Sequence, residues 1–287
     1  MTTQRGPVNT TTNATDLATL DDCGNCSRFL ARHGDDVRFV PGIGWLVWSD
    51  GLWVRDDQGR IYAAAAMIGD AIDAEADGLL DAAAEAERDE LKEEAKRLRA
   101  AAKAARAWAT ASRMAPRIKA IVEIASRDPS VVIAADALDA DPWALGVENG
   151  WIDLRTRKLY PHDRAKLLTK RAGCAYDAAA TCPTWDRFLG EAQPDPEIRA
   201  LLARLVGWWS TGAIKDHLLP MLIGCGANGK GTFIETITAM LGGYARAVPA
   251  RMWVASGDEH PTLYMQLRGV RFAPSQETKH GQALDTA

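Results

Sequence analysis

The chain has 287 residues, long enough for two domains, and its 47% hydrophobic and 25% charged residues predict a soluble globular protein. Its formal net charge of −4 excludes a surface that attracts nucleic acid everywhere, so any contact with a polyanion has to come from a local basic cluster. No apolar run reaches the roughly 20 residues that cross a bilayer, and the polar start is unlike a signal peptide; both features predict a cytoplasmic protein without a membrane anchor.

The five cysteines are scattered and odd in number, which favours reduced thiols over a disulfide framework. Cys23 and Cys26 form a lone Cys-x-x-Cys pair. A zinc site would need further ligands at a matching spacing, and the sequence offers no second pair. Reduced cysteines are the favoured interpretation, with metal binding as the alternative.

The N-terminal region predicts a tail, a helix and a small β-hairpin. Residues 1–20 lack periodicity and predict a disordered tail, while Asp21 can cap a helix that ends near His33. Residues 37–54 predict short strands, with a hairpin turn at Asp50-Gly51. The hairpin's tryptophans are predicted to form its core, and base stacking on a single-stranded nucleic acid is the alternative.

Residues 63–111 are dominated by Ala, Glu, Lys, Arg and Leu, which predicts long exposed helix with weak points at Gly69 and Gly78. Glutamates interrupt the only pair of leucines that lie a heptad apart, so a coiled coil is not expected. The mixed charges predict a solvated helical face, and a partner-binding surface is the alternative. Pro116 then predicts the start of a further helix.

Asn149-Gly150 predicts a second hairpin between two apolar stretches. A basic cluster follows it and could contact a nucleic-acid backbone; ordinary loop charges beside Asp153 and Asp163 are the alternative. The cluster consists of Arg155, Arg157, Lys158, Arg164, Lys166, Lys170 and Arg171. Pro183 and Pro196 then each predict a helix start.

The region of clearest chemical meaning is a glycine-rich loop after the apolar residues 218–223. Its spacing is that of a P-loop, and the pattern predicts a strand, a phosphate-binding loop and a helix that ends at Gly242. Lys230 would hold the β- and γ-phosphates of ATP, and an ordinary glycine-rich turn is the alternative. The predicted nucleotide-binding residues are Gly224, Cys225, Gly226, Ala227, Asn228, Gly229, Lys230, Gly231 and Thr232.

One position departs from the P-loop pattern, because Gly231 stands where a Mg²⁺-binding hydroxyl is expected. Thr232 lies one residue further along, which turns its side chain by about 100° on a helix. Thr232 therefore cannot simply replace the missing ligand. The departure affects hydrolysis more than nucleotide binding.

In the order of its motifs the chain resembles the phage and plasmid primase–helicase family, whose ATPase belongs to helicase superfamily three. The aromatic hairpin, the 141–156 segment with Asn149-Gly150, the entry at residues 182–189 and the P-loop follow the family's order. Gly146 stands where the family usually has Asn. Residues 267–278 resemble the second acidic motif, whose carboxylate would be Glu277.

The resemblance implies an α+β fold with a helix-rich N-terminal domain at residues 21–182 and the beginning of an AAA+-like α/β P-loop ATPase at residues 183–287. It implies ATP and Mg²⁺ as cofactors, Lys230 and Glu277 as catalytic residues, and Glu277 with Thr232 as metal ligands. DNA, replication proteins and a homo-oligomeric ring are the implied partners.

Family members continue beyond the acidic motif to a DNA-binding hairpin and an arginine finger. The chain is therefore expected to be a truncated helicase-type ATPase that is inactive alone. A non-enzymatic nucleotide-binding remnant or interaction module is one alternative, and an unrelated P-loop kinase for small molecules is another.

Overall fold

The computed structural model describes residues 19–214, 218–249, 252 and 266–275. The chain divides into two compact units, the first comprising Met1–Val47 and Arg55–Ile133 and the second comprising Trp48–Val54 and Ala134–Ala287. Residues 1–18 of the predicted tail and the predicted catalytic residue Glu277 lie outside the described residues. The predicted domain boundary between residues 182 and 183 stays a prediction.

Helices dominate the first unit. In chain order they are α1 (Asp22–His33), α2 (Arg60–Ala66), α3 (Ile68–Arg88), α4 (Lys92–Ser112) and α5 (Ala115–Ala125). The carboxylate of Asp21 accepts a hydrogen bond from the Gly24 N–H at 2.7 Å, which confirms the predicted cap at the start of α1. Pro116 lies in the first turn of α5, also as predicted.

Helices α3 and α4 form an antiparallel hairpin within the region predicted as long exposed helix. The chain breaks at Met67 and at residues 89–91, where Glu90 has a positive φ of 61°, and not at Gly69 or Gly78. The buried contact is made of alanines, which let the two helices approach closely; they include Ala76, Ala83, Ala95, Ala102 and Ala109. Periodicity did not predict this pairing, because alanine carries little hydrophobic contrast.

The charged face of this hairpin is paired across the two helices. Arg113 contacts Asp70 and Asp73, Arg106 contacts Asp77, and Arg99 contacts Glu87. These exposed pairs each contribute little, about 0–1 kcal/mol, but together they favour the antiparallel register.

A polar cluster joins α1 to α4 inside the first unit. The Asn25 amide donates to the Ser112 hydroxyl at 2.9 Å and accepts from the Trp108 indole N–H at 2.9 Å. Arg28, which is 4% exposed, donates to both carboxylate oxygens of Glu75. Because these buried groups are satisfied only in one arrangement, they fix how α1 packs.

The first sheet contains β1 (Val37–Val40), β2 (Gly44–Ser49) and β3 (Leu52–Arg55) in that order. Strands β1 and β2 are antiparallel, with Val37 opposite Val47. The predicted turn is confirmed, since Asp50 and Gly51 have φ angles of 49° and 79°. Trp53 is 1% exposed, which agrees with the core interpretation for this tryptophan.

The second unit carries the other sheet and three helices. They are β4 (Ala144–Val147), β5 (Gly150–Asp153), β6 (Lys158–Tyr160), α6 (Pro183–Ala192), α7 (Pro196–Ser210) and α8 (Lys230–Leu241). The strands are antiparallel in chain order. Strands β4 and β5 form the predicted hairpin, but Gly150 pairs with Val147 as the first residue of β5, so the turn residues are Glu148 and Asn149. Ile152 of β5 and Phe233, Ile237 and Leu241 of α8 share one hydrophobic core.

Tyr244 ties this core together. Its hydroxyl accepts from the Gly146 N–H at 2.9 Å and donates to the Lys170 carbonyl at 2.8 Å. A Cβ at Gly146 would lie 2.6 Å from that carbonyl, so the close approach requires glycine.

The α+β character of the fold is confirmed, but the strand expected before the glycine-rich loop is not formed. Residues 218–223 have no strand assignment, and no described segment pairs with them. A strand requires partners for its N–H and C=O groups, and apolar sequence alone does not supply them. None of the helices in the described part of the chain combines the length and apolar character needed to cross a bilayer.

Candidate functional site

Lys230 folds back over the glycine-rich loop. Its ammonium group donates to the Gly224 carbonyl at 2.9 Å, the Cys225 carbonyl at 3.0 Å and the Asn228 side-chain oxygen at 2.7 Å. All three acceptors are neutral. A phosphate oxygen would be a stronger acceptor for the same ammonium, because hydrogen bonds between charged groups are about twice as strong as neutral ones.

The backbone of the loop turns through two left-handed residues, Ala227 with φ 58° and Gly229 with φ 86°. A non-glycine residue in this region costs roughly 1–2 kcal/mol, so Ala227 carries local strain that the rest of the loop has to offset. Alternation of right- and left-handed residues forms the concave N–H arrangement that binds anions. Helix α8 begins directly after Gly229, and no side chain caps its first N–H groups.

Two glycines of the loop lie close to neighbouring side chains. A Cβ at Gly224 would lie 2.4 Å from the Asn228 amide nitrogen, and a Cβ at Gly229 would lie 3.0 Å from the Ala192 methyl group. At Gly229 the left-handed backbone and this contact both favour glycine, whereas the close neighbour of Gly224 is the end of a side chain that can move. The loop is exposed, whereas Lys230 is half-buried.

Helix α6 supports the start of α8, which the sequence alone did not predict. Phe188 of α6 lies against Gly229, and Trp185 stacks on Phe233 with ring centroids 5.8 Å apart. The signal in the sequence was the aromatic pair after Pro183. The pair's partner lies more than forty residues away, so spacing could not identify it.

Of the two predicted metal ligands, the structure describes only Thr232. Thr232 is exposed in the first turn of α8, and Gly231 leaves the preceding position without a hydroxyl. Glu277 lies outside the described residues. Among the residues the structure describes, no group of three or more His, Cys, Asp or Glu side chains could hold a metal ion.

The two cysteines of the Cys-x-x-Cys pair have different environments. Cys23 is exposed and Cys26 is buried. Burial raises the pKa of the Cys26 thiol to about 11, with smaller contributions from the charges of Asp128 and Cys23. A neutral thiol is a poor metal ligand at neutral pH, because metals bind the thiolate.

The predicted basic cluster is divided in the structure. Two of its members belong to a connected series of side chains, which we call the aromatic–basic row: Tyr160, Trp151, Lys166, Asp141, Arg155 and Trp143. The rings of Tyr160 and Trp151 stack with centroids 4.8 Å apart. The Lys166 ammonium lies 4.1 Å from the Trp151 ring centroid and 3.3 Å from the Asp141 carboxylate.

The other end of the row is built in the same way. Arg155 lies 3.9 Å from the Asp141 carboxylate, and its guanidinium carbon lies 5.3 Å from the Trp143 ring centroid. Burial opposes the ionisation of Asp141. The Trp143 N–H and the Lys166 ammonium outweigh this opposition, so the pKa of Asp141 is lowered.

The remaining cluster members lie elsewhere in the second unit. Arg164 covers the Trp48 ring, with 5.3 Å between its guanidinium carbon and the ring centroid. Arg171 donates to the Asp50 carbonyl at 3.2 Å. Lys158 is exposed on β6, two residues before Tyr160.

Two comparisons with known proteins found similar sequences. An alignment over 156 residues, which covers 52% of this chain, is 26% identical to a protein of Acanthamoeba polyphaga mimivirus named "Putative helicase L207/L206". The chain covers 16% of the length of that relative. The model of the family described as "D5 N terminal like" matches residues 26–194, and this match ends before the glycine-rich loop.

The family match spans more than half of the chain and includes the helical first unit, the second hairpin and α6. It confirms the family predicted from the order of the motifs. The chain therefore belongs to the D5 N terminal like family.

Proposed function

We propose that this chain binds ATP through residues 224–232 and serves a DNA helicase-type ATPase in phage or plasmid replication. The observation that carries the proposal is the position of the Lys230 ammonium, which the Gly224 carbonyl, the Cys225 carbonyl and the Asn228 oxygen hold over the loop. The helicase name of the mimivirus relative supports the same function.

Features of the described residues support the binding of a nucleoside triphosphate. Bound ATP would supply the phosphate oxygens that replace the neutral acceptors of Lys230. The backbone N–H groups around Ala227 and the uncapped start of α8 would receive the remaining negative charge. The packing of α6 on Gly229 holds the loop in place before the nucleotide arrives.

A second function, nucleotide binding without efficient hydrolysis, is favoured by Gly231. A P-loop normally presents Ser or Thr at this position to bind Mg²⁺. Thr232 and Glu277 remain the proposed metal ligands, with Glu277 also organising the attacking water. The ring assembly and the replication partners implied by the family also remain proposals.

The test is a titration with a fluorescent ATP analogue. Lys230→Ala removes a charge-assisted contact, so we expect binding weaker by about 2 kcal/mol or more, which is roughly thirtyfold. Lys103→Ala, which alters an exposed lysine of α4, is the matched control and should bind like the parent. Equal affinity in the parent and the Lys230 variant would remove the basis of the proposal.

Metal dependence and turnover separate the two candidate functions. Gly231→Ser should tighten Mg²⁺-ATP more than metal-free ATP, because it restores the hydroxyl after Lys230. ATP turnover stimulated by DNA would support the helicase-type ATPase. Binding without turnover would support the second function.

A further inference from the structure

The outer face of the second sheet carries the start of the aromatic–basic row. Trp151 pairs with Tyr160 across β5 and β6, and Asp153 pairs with Lys158, so these four side chains share one face. The other face carries Ile152, which is buried in the core. Tyr160 is 38% exposed despite its stacking on Trp151.

The sequence stretch that supplies Arg155, Lys158, Tyr160 and Lys166 is basic although the whole chain is acidic. Residues 155–171 contain seven Lys or Arg residues and one Asp, whereas the formal net charge of the chain is −4. Asp141 neutralises part of the row because it contacts both Lys166 and Arg155. Lys158 and Arg155 are exposed, and the Arg155 side chain is 56% accessible.

A surface that presents aromatic rings and cations together matches the chemistry of a single nucleic-acid strand. Bases stack on aromatic rings without regard to sequence, and phosphates between them pair with Lys or Arg. A duplex hides the faces of its bases, so a duplex would gain only the charge contacts. The row therefore favours an unpaired strand.

We infer that the aromatic–basic row, with Lys158 beside it, is a binding surface for single-stranded DNA. Tyr160 provides the exposed ring on which a base stacks, while Lys158 on the same strand and Arg155 towards the other end of the row contact phosphates. Trp151 and Lys166 hold Tyr160 and Asp141 in place. The choice of DNA over RNA rests on the proposed replication function.

The experiment measures fluorescence anisotropy of a labelled oligo-dT of roughly 16 nucleotides with the full chain. Tyr160→Ala should weaken binding about tenfold through loss of one stacked base, and Tyr160→Phe should restore it. Tyr62→Ala is the matched control, because Tyr62 is 48% exposed on α2 in the first unit.

The charge contacts are tested in the same assay. Lys158→Glu should weaken binding about tenfold and should lower the salt dependence of the affinity. Lys119→Glu, which reverses an exposed charge on α5, should leave the affinity within about twofold of the parent value. Thermal denaturation of each variant identifies a loss of binding that comes from unfolding. If Tyr160→Ala does not fold, Tyr160→Phe and Lys158→Glu still test the binding surface.

Several results would overturn the inference. They are failure of the parent chain to bind oligo-dT, binding of both Tyr160→Ala and Lys158→Glu within about twofold of the parent, equal affinity for duplex DNA, and tighter binding of oligo-rU. ATP binding in the same samples separates this inference from the proposed function. Tyr160→Ala should bind ATP like the parent, and Lys230→Ala should bind oligo-dT like the parent.

Discussion

Replacing Tyr244 by Phe should destabilise the second unit although the change removes one oxygen atom. Tyr244 is fully buried, and its hydroxyl is shared between the Gly146 N–H and the Lys170 carbonyl. Tyr244→Phe keeps the ring and leaves both backbone groups without this partner. The substitution therefore isolates the hydrogen bonds from the packing.

The expected cost follows from the two groups that lose their partner. The buried Gly146 N–H costs roughly 1–3 kcal/mol when it is left unsatisfied. Lys170 is half-buried, so water can partly replace the hydrogen bond that its carbonyl accepts from Tyr244. Loss of this bond adds about 1 kcal/mol or less to the cost of the substitution. The total is about 2–3 kcal/mol, which corresponds to a fall in Tm of roughly 5–10 °C for a unit of this size.

Differential scanning calorimetry and urea denaturation would measure this loss. Tyr62→Phe is the matched control, since Tyr62 is exposed on α2 and loses no buried hydrogen bond. If Tyr244→Phe and Tyr62→Phe change the Tm equally, by less than about 1 °C, the hydroxyl does not hold the core together.

Three further predictions concern buried groups. Gly146→Ala should cost about 1–3 kcal/mol in a urea titration, because its Cβ would approach a backbone carbonyl to 2.6 Å. Arg28→Ala should lower the free energy of unfolding by about 3 kcal/mol, because Glu75 loses a buried partner. Arg127→Ala breaks an exposed pair and should lower it by less than about 0.5 kcal/mol. Equal losses in the two variants would contradict this prediction. Because burial raises the pKa of Cys26 to about 11, the folded state holds its proton as the pH rises above 9 while the unfolded state releases it. The free energy of unfolding should therefore fall by about 1 kcal/mol more between pH 8 and 10 in the parent than in Cys26→Ala, and parallel pH profiles would refute this.

Local signals predicted much of the fold. Asp21 caps α1, Asp50-Gly51 forms a hairpin turn, Asn149 lies in the turn between β4 and β5, and Pro183 starts α6. Each of these signals acts through its own neighbours in sequence. The family was predicted from the resemblance of whole motifs such as the 141–156 segment, and the family match at residues 26–194 supports it.

Contacts between distant residues were not predictable in the same way. The break at Glu90 depends on alanine packing between α3 and α4, and the Asn25–Ser112 bond joins residues 87 apart. The strand expected at residues 218–223 depended on partners that the apolar sequence itself does not contain. These features depend on tertiary context, which periodicity does not encode.

The candidate site also combines features that local sequence predicted with features that depend on distant contacts. The spacing predicted Lys230 and the loop glycines, and the structure places that lysine over the loop. The contact of Phe188 with Gly229 and the ordering of Trp151, Lys166 and Asp141 into a row were missed. Each of these features depends on contacts between residues that are distant in the sequence.

The central claim is that nucleotide phosphates bind at residues 224–232, and amide hydrogen exchange with mass spectrometry tests it most directly. Saturating ATP should slow exchange in peptides that contain this loop and the first turn of α8, because phosphate oxygens would accept hydrogen bonds from those N–H groups. Peptides from α3 and α4 should not change, and Lys230→Ala should abolish the protection. Unchanged exchange in the loop at an ATP concentration that saturates the chain would contradict the claim.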